Sequence, residues 1–259
     1  FKQKTAYERS RGLVGSEMCI RDRTGTSLVQ ADPGKGARGM VASVHPLATD
    51  AGVNVLKAGG NAVDAAVATA LTLGVVDGFN SGIGGGCFIL IRRQDGSLIA
   101  IDGREMAPAK AHRDMYLRDG KPQSDLSKVG PLASGVPGAL AAYEKAVQTC
   151  GKTPWKDLVL PAAELAEQGF PVYPDFSRRT KERAKLFLER YPSTAEIYCP
   201  WGRIPRTGER FRNPDFAKVA EAFGIRGVSV STEDELKTAV EEAHACLLYT
   251  SPSPRDRGC

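Results

Sequence analysis

Several features that mark whole classes of protein are missing from this sequence of 259 residues. It has no apolar run near the roughly 18 residues that a membrane-spanning helix needs. Its six cysteines are too sparse for a disulfide scaffold, and no CxxC pair indicates a zinc site or a redox dithiol. The hydrophobic content of 42% and the charged content of 25% are ordinary for a folded globular protein, which argues against a disordered chain.

Basic residues exceed acidic ones mainly at the two ends of the chain. Of the formal net charge of +5, residues 1–23 carry +3 and the last fifteen residues carry +1. The 221 residues between them are therefore almost neutral. A basic balance confined to the ends is no evidence for a nucleic-acid or anionic-lipid partner, so no nucleic-acid partner is predicted.

The two ends are also related to each other at the level of DNA. A coding sequence for residues 246–256 can be written so that its reverse complement encodes residues 13–22, a match of ten consecutive residues. A protein has no reason to carry antisense copies of one stretch at both ends, and both segments resemble translated sequencing-library adapter. We therefore predict that residues 1–23 are a non-native leader and residues 246–259 a non-native tail, and neither enters the fold prediction.

Cysteine and histidine are scattered rather than clustered in the remaining part of the chain. Cys87, Cys150 and Cys199 lie far apart, and the three histidines are equally dispersed. Metal sites that can be recognised from sequence bring such residues together at short, regular spacing. We therefore expect buried thiols and ordinary surface histidines, and we predict no metal site and no cofactor.

The first part of the chain predicts a strand and two helices. Residues 39–45 have the apolar pattern of a short buried strand. Pro46 is well suited to the first position of a helix, which the glycine pair at 59–60 ends. Asn61, followed three positions later by an acidic residue, predicts a capping box at the start of a second, buried helix over 62–76.

Two apolar runs in the next stretch predict a β-hairpin. Residues 87–92 and 98–102 each have strand composition, and Asp95-Gly96 forms a turn between them. A strand, two helices and then a hairpin indicate a layered α/β or α+β domain.

The later part of the chain is predicted to be mainly helical. A helix opens at Pro137 and ends at Gly151, and the next helical segment is expected to break in two at Pro161. Residues 175–191 have the pattern of a polar surface helix. Residues 191–210 contain several proline turns and are predicted to be loop.

A glycine-rich loop precedes the predicted hairpin. A phosphate-binding loop follows a strand and opens a helix, whereas the run containing Gly84, Gly85 and Gly86 follows a helix and opens a strand. We therefore interpret it as a structural turn in which backbones approach closely. Ser81 and Ser134 both lack the spacing of a serine nucleophile elbow, so no serine hydrolase is predicted.

Arg104 follows the second predicted strand. An arginine at a strand end can direct its planar guanidinium at a carboxylate through two parallel charge-assisted bonds. Such a bond is worth about 1.5–3 kcal/mol when it is sheltered. From spacing alone, a surface ion pair of small energetic value is the more common use of such an arginine.

Four motifs occur in the order and spacing of one enzyme family. Together they strongly resemble the γ-glutamyltransferase family, and the resemblance extends over residues 39–210. The motifs are MVASVHPLATDAGVNVLKAGGNAVDAAVATALTLGVV at 40–76, GIGGGCFILI at 82–91, AIDGREMAPAKA at 100–111 and LASGVPG at 132–138.

The resemblance implies an α+β fold, the αββα sandwich of N-terminal-nucleophile hydrolases, of which this chain would hold only the N-terminal part. It also implies an acyltransferase and hydrolase whose precursor cuts itself into a large and a small subunit. The new N-terminal threonine then accepts the γ-glutamyl group of glutathione or a related amide. By the same resemblance, Arg104 binds the α-carboxylate of that group. Gly84, Gly85 and Gly86 match the glycine run of the family, and we interpret their role as structural.

The chain departs from the family pattern in one decisive respect. The family nucleophile lies in a Thr-Thr-His-like segment, and no threonine of this chain is followed by Thr-His. No catalytic residue is therefore assigned. We interpret residues 24–212 as a fragment of the large subunit, with the missing small subunit as its partner and a γ-glutamyl compound such as glutathione as its substrate. We expect the chain alone to be inactive.

Two other interpretations stay open. The chain could be a non-catalytic carboxylate-binding module that uses Arg104, or an acylase-type relative that acts on other γ-acyl amides. Gly103 stands where many relatives carry a larger residue, so the shape of the pocket is left open. By resemblance alone, we expect a periplasmic or extracellular location.

A second resemblance concerns the segment that follows. Residues 213–243 look like the C-terminal part of thiamine-diphosphate enzymes of the acetolactate-synthase type, and the Asn-Pro-Asp at 213–215 is a plausible joint. Residues 213–245 are therefore predicted to be a helical segment of chimeric origin, with a divergent transferase helix pair as the alternative. The diphosphate- and magnesium-binding motif of those enzymes is absent, so no cofactor binding is predicted.

Overall fold

The computed structural model describes residues 39–218. Two helices come first, α1 (Pro46–Lys57) and α2 (Ala62–Val76), followed by an antiparallel hairpin of β1 (Cys87–Arg92) and β2 (Leu98–Gly103). The structure is therefore mixed helix and sheet, as the sequence predicts. No helix among the described residues is both long and apolar enough to cross a membrane.

The second half of the described chain follows these elements. It contains a small hairpin, two 3-10 turns, two longer helices and then five further elements. The bounds are β3 (Leu117–Arg118), β4 (Lys121–Pro122), 3-10 turns at Ser124–Ser127 and Pro131–Ala133, α3 (Ala139–Cys150), α4 (Trp155–Gln168), β5 (Phe170–Pro171), α5 (Pro174–Arg190), α6 (Pro192–Tyr198), a 3-10 turn at Pro200–Gly202 and β6 (Arg210–Phe211).

The start of α2 is held by a network of buried hydrogen bonds. The Asn61 side chain accepts hydrogen bonds from the backbone N–H groups of Val63 and Asp64, which completes the predicted capping box. The Asp64 carboxylate is fully buried and accepts from the N–H of Asn61 at 2.8 Å and from the N–H of Lys152 at 3.0 Å. A local cap thereby also ties α2 to the connection between α3 and α4.

The main core lies where α2 packs against α4. Their contacting faces combine alanines with larger aliphatic side chains such as Leu71 and Leu158, which are almost fully buried. Small residues let the helix axes approach closely, and the larger side chains fill the remaining space.

An aromatic cluster extends this core toward the end of the described chain. Phe170 in β5 pairs with Phe211 in β6, and both contact Phe176 of α5. The ring centroids lie 4.7–5.6 Å apart in tilted or edge-to-face arrangements, which are the favourable geometries for aromatic pairs. This cluster fixes α5 against the end of α4.

Residues 39–45 do not form the predicted strand, and that prediction is wrong. A strand needs a hydrogen-bonded neighbour, and no described segment pairs with these residues. Their polar groups instead organise the start of α1. Nδ1 of His45 accepts from the N–H of Leu47 at 3.3 Å, and the Ser43 hydroxyl donates to the His45 carbonyl at 2.9 Å.

The predicted break at Pro161 is also wrong. Pro161 does not interrupt α4, which runs from Trp155 to Gln168. Pro161 is exposed while Leu158, Val159 and Ala162 around it are buried, so packing holds both halves of the helix in line at the cost of one hydrogen bond.

Residues 191–210 are not loop throughout, because Pro192 opens the short helix α6. Proline is compatible with the first helical position because its missing N–H would be unpaired there in any case. A second proline, Pro200, likewise opens a 3-10 turn.

The predicted domain boundaries at 23/24 and 245/246 lie outside the described residues. The boundary at 212/213 falls at the start of a helical segment over 214–218. Phe216 and Ala217 of that segment are buried in the main core, and the N–H of Asn213 donates to the Ala166 carbonyl at 2.9 Å. The chimeric origin of 213–245 stays a prediction, and residues 219–245 lie outside the described part.

Candidate functional site

Arg104 lies directly beyond the last residue pair of the hairpin. The register pairs Cys87 with Gly103, so Arg104 is the first residue to leave the ladder. Its backbone N–H donates to Oδ1 of Asp102 at 2.9 Å, a local turn that fixes the direction in which the chain leaves β2. The Arg104 side chain is 69% exposed.

One neighbouring carboxylate contacts the Arg104 guanidinium. Nε of Arg104 lies 3.4 Å from Oε2 of Glu105, whose side chain is 41% exposed. Among the described residues, no group accepts a hydrogen bond from either Nη atom of Arg104. Two parallel N–H donors are therefore free to bind a carboxylate in the bidentate geometry that favours arginine over lysine.

The glycine run positions Glu105 and the start of α3. The Gly85 carbonyl accepts hydrogen bonds from the N–H groups of Gly138 and Ala139, both at 3.1 Å, and so caps the N-terminus of α3. A Cβ atom at Gly86 would lie 2.7 Å from the backbone nitrogen of Glu105 and from the Gly103 carbonyl. Gly86 thus permits a close backbone approach that another residue would prevent.

Gly84 and Gly85 differ from Gly86. An added Cβ at Gly84 would meet no atom within 4 Å, and one at Gly85 would make only ordinary contacts, the nearest at 3.6 Å from Oε1 of Glu105. The geometry therefore gives a steric reason for glycine at Gly86 alone.

Two glycines lie at the base of the site: Gly103, which the sequence connected with the shape of the pocket, and Gly138, which it did not place there. Gly103 is buried, and an added Cβ would collide with the side chain of Ala142 in α3. Gly138 faces it from the other side, and its Cβ would crowd the Gly103 carbonyl. The LASGVPG motif, which contains Gly138, was the available signal, but only the folded chain shows which backbone it approaches.

A thiol and a phenol lie beside the hairpin end. Burial raises the pKa of the Cys87 thiol; a hydrogen bond with Tyr143 lowers it, and the Asp102 and Glu105 carboxylates raise it. Burial also raises the pKa of Tyr143 to about 12. Both groups are therefore neutral at neutral pH, and Cys87 lacks the thiolate character that a nucleophile requires.

The other cysteines and histidines follow the sequence expectations only in part. Cys199 is buried, whereas Cys87 and Cys150 are only partly buried. His45 is buried rather than on the surface. Across residues 39–218, no three His, Cys, Asp or Glu side chains converge as metal ligands would.

Comparison with known proteins gives consistent matches. A family model described as "Gamma-glutamyltranspeptidase" matches residues 48–232. The Escherichia coli glutathione hydrolase proenzyme is 41% identical over 196 residues, which cover 75% of this chain and 34% of that protein. The Acylase ACY 1 proenzyme of a Pseudomonas species is 39% identical over 202 residues, covering 75% of this chain and 36% of that one.

A solved structure matches in three dimensions as well. The crystal structure of Helicobacter pylori gamma-glutamyltranspeptidase aligns with a TM-score of 0.74 and 32% identity, covering 82% of this chain and 61% of that one. The chain spans about a third of the length of the curated relatives it matches.

Proposed function

This chain belongs to the gamma-glutamyltranspeptidase family, and on that premise we propose that it supplies the substrate-carboxylate site of an enzyme that hydrolyses or transfers γ-glutamyl groups. Arg104 binds the α-carboxylate of the γ-glutamyl group, with glutathione as the representative substrate. The chain has the α+β fold of the N-terminal-nucleophile hydrolases, as the sequence predicted.

The observation that carries this proposal is the state of Arg104. Its backbone is fixed by Asp102, its Nε lies beside Glu105, and its two Nη groups face no acceptor in the described part of the chain. Because the guanidinium is planar, its two Nη donors are already oriented for the two oxygens of a carboxylate, so less conformational freedom is lost for each hydrogen bond formed. Binding at the α-carboxylate leaves the γ-carbonyl, at the other end of the glutamyl chain, free to reach a nucleophile elsewhere.

The nucleophile itself is proposed to lie in the remainder of a family-length precursor. There, an N-terminal threonine forms the acyl-enzyme, and its own α-amine serves as the base. Arg104 contributes by fixing the position of the γ-glutamyl donor. This positioning raises the reaction rate most when it places the γ-carbonyl carbon next to the attacking threonine oxygen. The small subunit of the same precursor is thus the proposed partner of this chain.

The test measures hydrolysis of a γ-glutamyl anilide in two preparations. The 259-residue chain alone is expected to give no rate above background. The chain co-expressed with the part of the Escherichia coli relative that lies downstream of the matched region is expected to be active. In that pair, Arg104→Ala should lower kcat/KM by roughly 10- to 100-fold, since about 1.5–3 kcal/mol of charge-assisted bonding is lost.

Arg113→Ala provides the matched control, because Arg113 is an exposed arginine whose ion partner is its own neighbour Asp114. It should leave kcat/KM unchanged. An active pair that Arg104→Ala does not slow, or a rate from the isolated chain above that of its Arg104→Ala variant, would contradict the proposal.

A second candidate function is acylase activity on other γ-acyl amides. The observation that favours it is the 39% identity to a Pseudomonas acylase proenzyme, close to the 41% identity to the glutathione hydrolase proenzyme. Acyl groups that end in a carboxylate present the same ligand to Arg104. Comparing γ-glutamyl and glutaryl anilides on the active pair separates the two, because glutaryl lacks the α-amino group.

The cellular location is proposed as periplasmic or extracellular. The support for this is family membership alone.

A further inference from the structure

We propose that Asp102 is a positioning residue for the carboxylate site and that it acts through Arg104 alone. A side-chain oxygen of Asp102 accepts a hydrogen bond from the Arg104 backbone, and the negative charge of Asp102 is not required for this role. The effect on catalysis rests on the proposed function of Arg104. The effect on the Arg104 backbone does not, and it can be measured in the chain without a ligand.

The side chain of Asp102 takes over where the backbone ladder of the hairpin ends. Cys87 and Gly103 form the last pair of the ladder, so Arg104 has no strand residue opposite it. The Arg104 N–H donates to Oδ1 of Asp102 at 2.9 Å, and no backbone carbonyl of residues 39–218 accepts from it. An aspartate that accepts from the N–H two residues later closes a turn that substitutes for a backbone hydrogen bond.

A backbone bridge fixes the chain on the other side of Arg104. The N–H of Met106 donates to the Val136 carbonyl at 3.1 Å, and the N–H of Val136 donates to the Met106 carbonyl at 2.8 Å. Arg104 therefore lies between two anchors, the Asp102 turn and this bridge. Without the turn, neither Arg104 nor Glu105 would keep a backbone hydrogen bond within the described part of the chain.

The direction of the Arg104 side chain depends on this backbone anchor. The side chain is 69% exposed, and its one salt bridge among the described residues is with Glu105. Because Glu105 lies on the same segment, it moves with Arg104 and cannot correct a shift of the backbone. The guanidinium lies at the end of a long side chain, so a small rotation of the backbone displaces it by a larger distance. A misplacement of about 1 Å can lower a rate by about 100-fold.

The oxygen of Asp102, and not its charge, serves this purpose. A negative charge beside a site for a carboxylate opposes binding, because like charges repel each other. Asp102 is exposed, so water and salt screen its charge. Asparagine offers the same Oδ1 acceptor in the same kind of turn without the charge. Asp102→Asn should therefore keep the turn and the position of Arg104, whereas a role based on charge requires the aspartate.

The other end of the hairpin carries the same turn and provides the matched control. The N–H of Ser97 donates to Oδ1 of Asp95 at 2.8 Å, again two residues along the chain. Asp95 is also exposed. It precedes β2, whose six residues at about 3.4 Å each separate its ends by about 17 Å. Asp95→Ala thus removes the same kind of hydrogen bond at a distance from Arg104.

The first test follows backbone amides by NMR in the ligand-free 259-residue chain. Asp102→Ala should lower the hydrogen-exchange protection factor of the Arg104 amide at least fivefold and also lower its ¹⁵N order parameter. Asp102→Asn should keep the protection factor within twofold of the wild type. Asp95→Ala should leave Arg104 unchanged and lower the protection of Ser97 instead. A thermal melt verifies that each variant is folded, as expected for substitutions of exposed residues.

The second test measures hydrolysis of a γ-glutamyl anilide by the chain co-expressed with the downstream part of the Escherichia coli relative. Asp102→Ala should lower kcat/KM by about 3- to 10-fold, which is the range for one hydrogen bond. Asp102→Asn should restore kcat/KM to within twofold of the wild type, and Asp95→Ala should have no effect. In the Arg104→Ala background, Asp102→Ala should cause no further loss, because a positioning residue acts only through the group that it positions.

Three results would overturn the proposal. The first is equal protection of the Arg104 amide in the wild type and in Asp102→Ala. The second is an Asp102→Asn variant that behaves like Asp102→Ala, which would assign the role to the charge. The third is an active pair in which Asp102→Ala leaves kcat/KM unchanged, or slows the Arg104→Ala variant as much as it slows the wild type.

Failure of the proposed function gives a different pattern. In that case Arg104→Ala itself would leave kcat/KM of the active pair unchanged. The protection factors of the Arg104 amide would still show whether Asp102 holds the backbone, so the two failures are distinguishable.

Discussion

Two regions of this molecule differ in whether their apolar side chains and hydrogen-bonding groups have partners among the described residues. In the helical core between α2 and α4, apolar side chains are covered and the buried Asp64 carboxylate is satisfied by three hydrogen-bond contacts from two backbone N–H groups. At the outer side of the hairpin, large apolar side chains and the Nη groups of Arg104 face no partner among the described residues. The difference indicates that the first region supplies most of the stability of the chain, whereas the proposed substrate site lies in the second.

The largest expected effect contrasts two phenylalanines. Phe170 is 1% exposed within the aromatic cluster, so Phe170→Ala should lower the free energy of unfolding by about 3–5 kcal/mol. Phe88→Ala, on the outer face of the β1–β2 hairpin, should change the free energy of unfolding by less than about 0.5 kcal/mol. Urea denaturation followed by circular dichroism measures the free energy of unfolding of both variants. Equal losses for the two variants would show that Phe88 is already buried in the isolated chain.

The next effect tests the buried cap of α2. Asp64→Ala leaves the N–H groups of Asn61 and Lys152 without their acceptor inside the protein, which should cost about 2–4 kcal/mol. Asp50→Ala, on the exposed side of α1, is the matched control and should fall within about 0.5 kcal/mol of the wild type. A small loss for Asp64→Ala would mean that water replaces the carboxylate and that this region is less complete than the structure indicates.

A smaller effect separates two neighbouring glycines of the loop. Gly86→Ala forces a Cβ to within 2.7 Å of backbone atoms of Gly103 and Glu105, so stability should fall by about 1–3 kcal/mol. Gly84→Ala meets open space and should have almost no effect. Activity gives a second measurement. When the chain is co-expressed with the downstream part of the Escherichia coli relative, Gly86→Ala should also lower kcat/KM, because it displaces Glu105. Similar stabilities for the two variants would remove the argument that Gly86 holds the site together.

The smallest expected effect is the pH dependence that His45 contributes. Burial lowers the pKa of His45 in the folded chain, so the unfolded chain takes up a proton first as the pH falls. Stability from this source is complete above about pH 6.5 and is lost progressively below it. Protonation also places a hydrogen on Nδ1, which now accepts from the N–H of Leu47.

The variant His45→Asn keeps a capping oxygen and does not titrate in this range. Comparing its urea midpoints with those of the wild type between pH 5 and 7.5 isolates the histidine contribution from that of the carboxylates. The two proteins should diverge as the pH falls below about 6.5. Parallel pH profiles would contradict the buried, neutral state of His45.

Local signals in the sequence predicted the helical region well. The Asn61 capping box gave the start of α2, and the apolar runs with Asp95-Gly96 between them gave the hairpin, because caps and turns depend on residues close together in the chain. The prediction of a break at Pro161 was wrong because burial of the residues on both sides of it outweighed the local penalty. Long-range packing of that kind is not visible in a window of sequence.

The site was predictable only in outline. The position of Arg104 after β2 followed from the hairpin, but its exposed Nη groups and its contact with Glu105 required coordinates. The meeting of Gly103 with Gly138 joins residues 35 positions apart, which no spacing rule places together. The apolar character of the outer face of the hairpin could be predicted from Phe88 and Leu90, whereas their exposure could be read only from the structure.

Side-chain NMR can observe directly whether Arg104 binds the α-carboxylate of a γ-glutamyl group. Glutathione is titrated into the ¹⁵N-labelled chain while the Arg104 Nε–Hε resonance, assigned by its loss in Arg104→Lys, is followed. A γ-aminobutyryl analogue that lacks only the α-carboxylate serves as the control ligand. If Arg104 binds the α-carboxylate, glutathione should cause a saturable shift and the analogue should cause none. Equal shifts with both ligands, or no shift with either up to tens of millimolar, would contradict it.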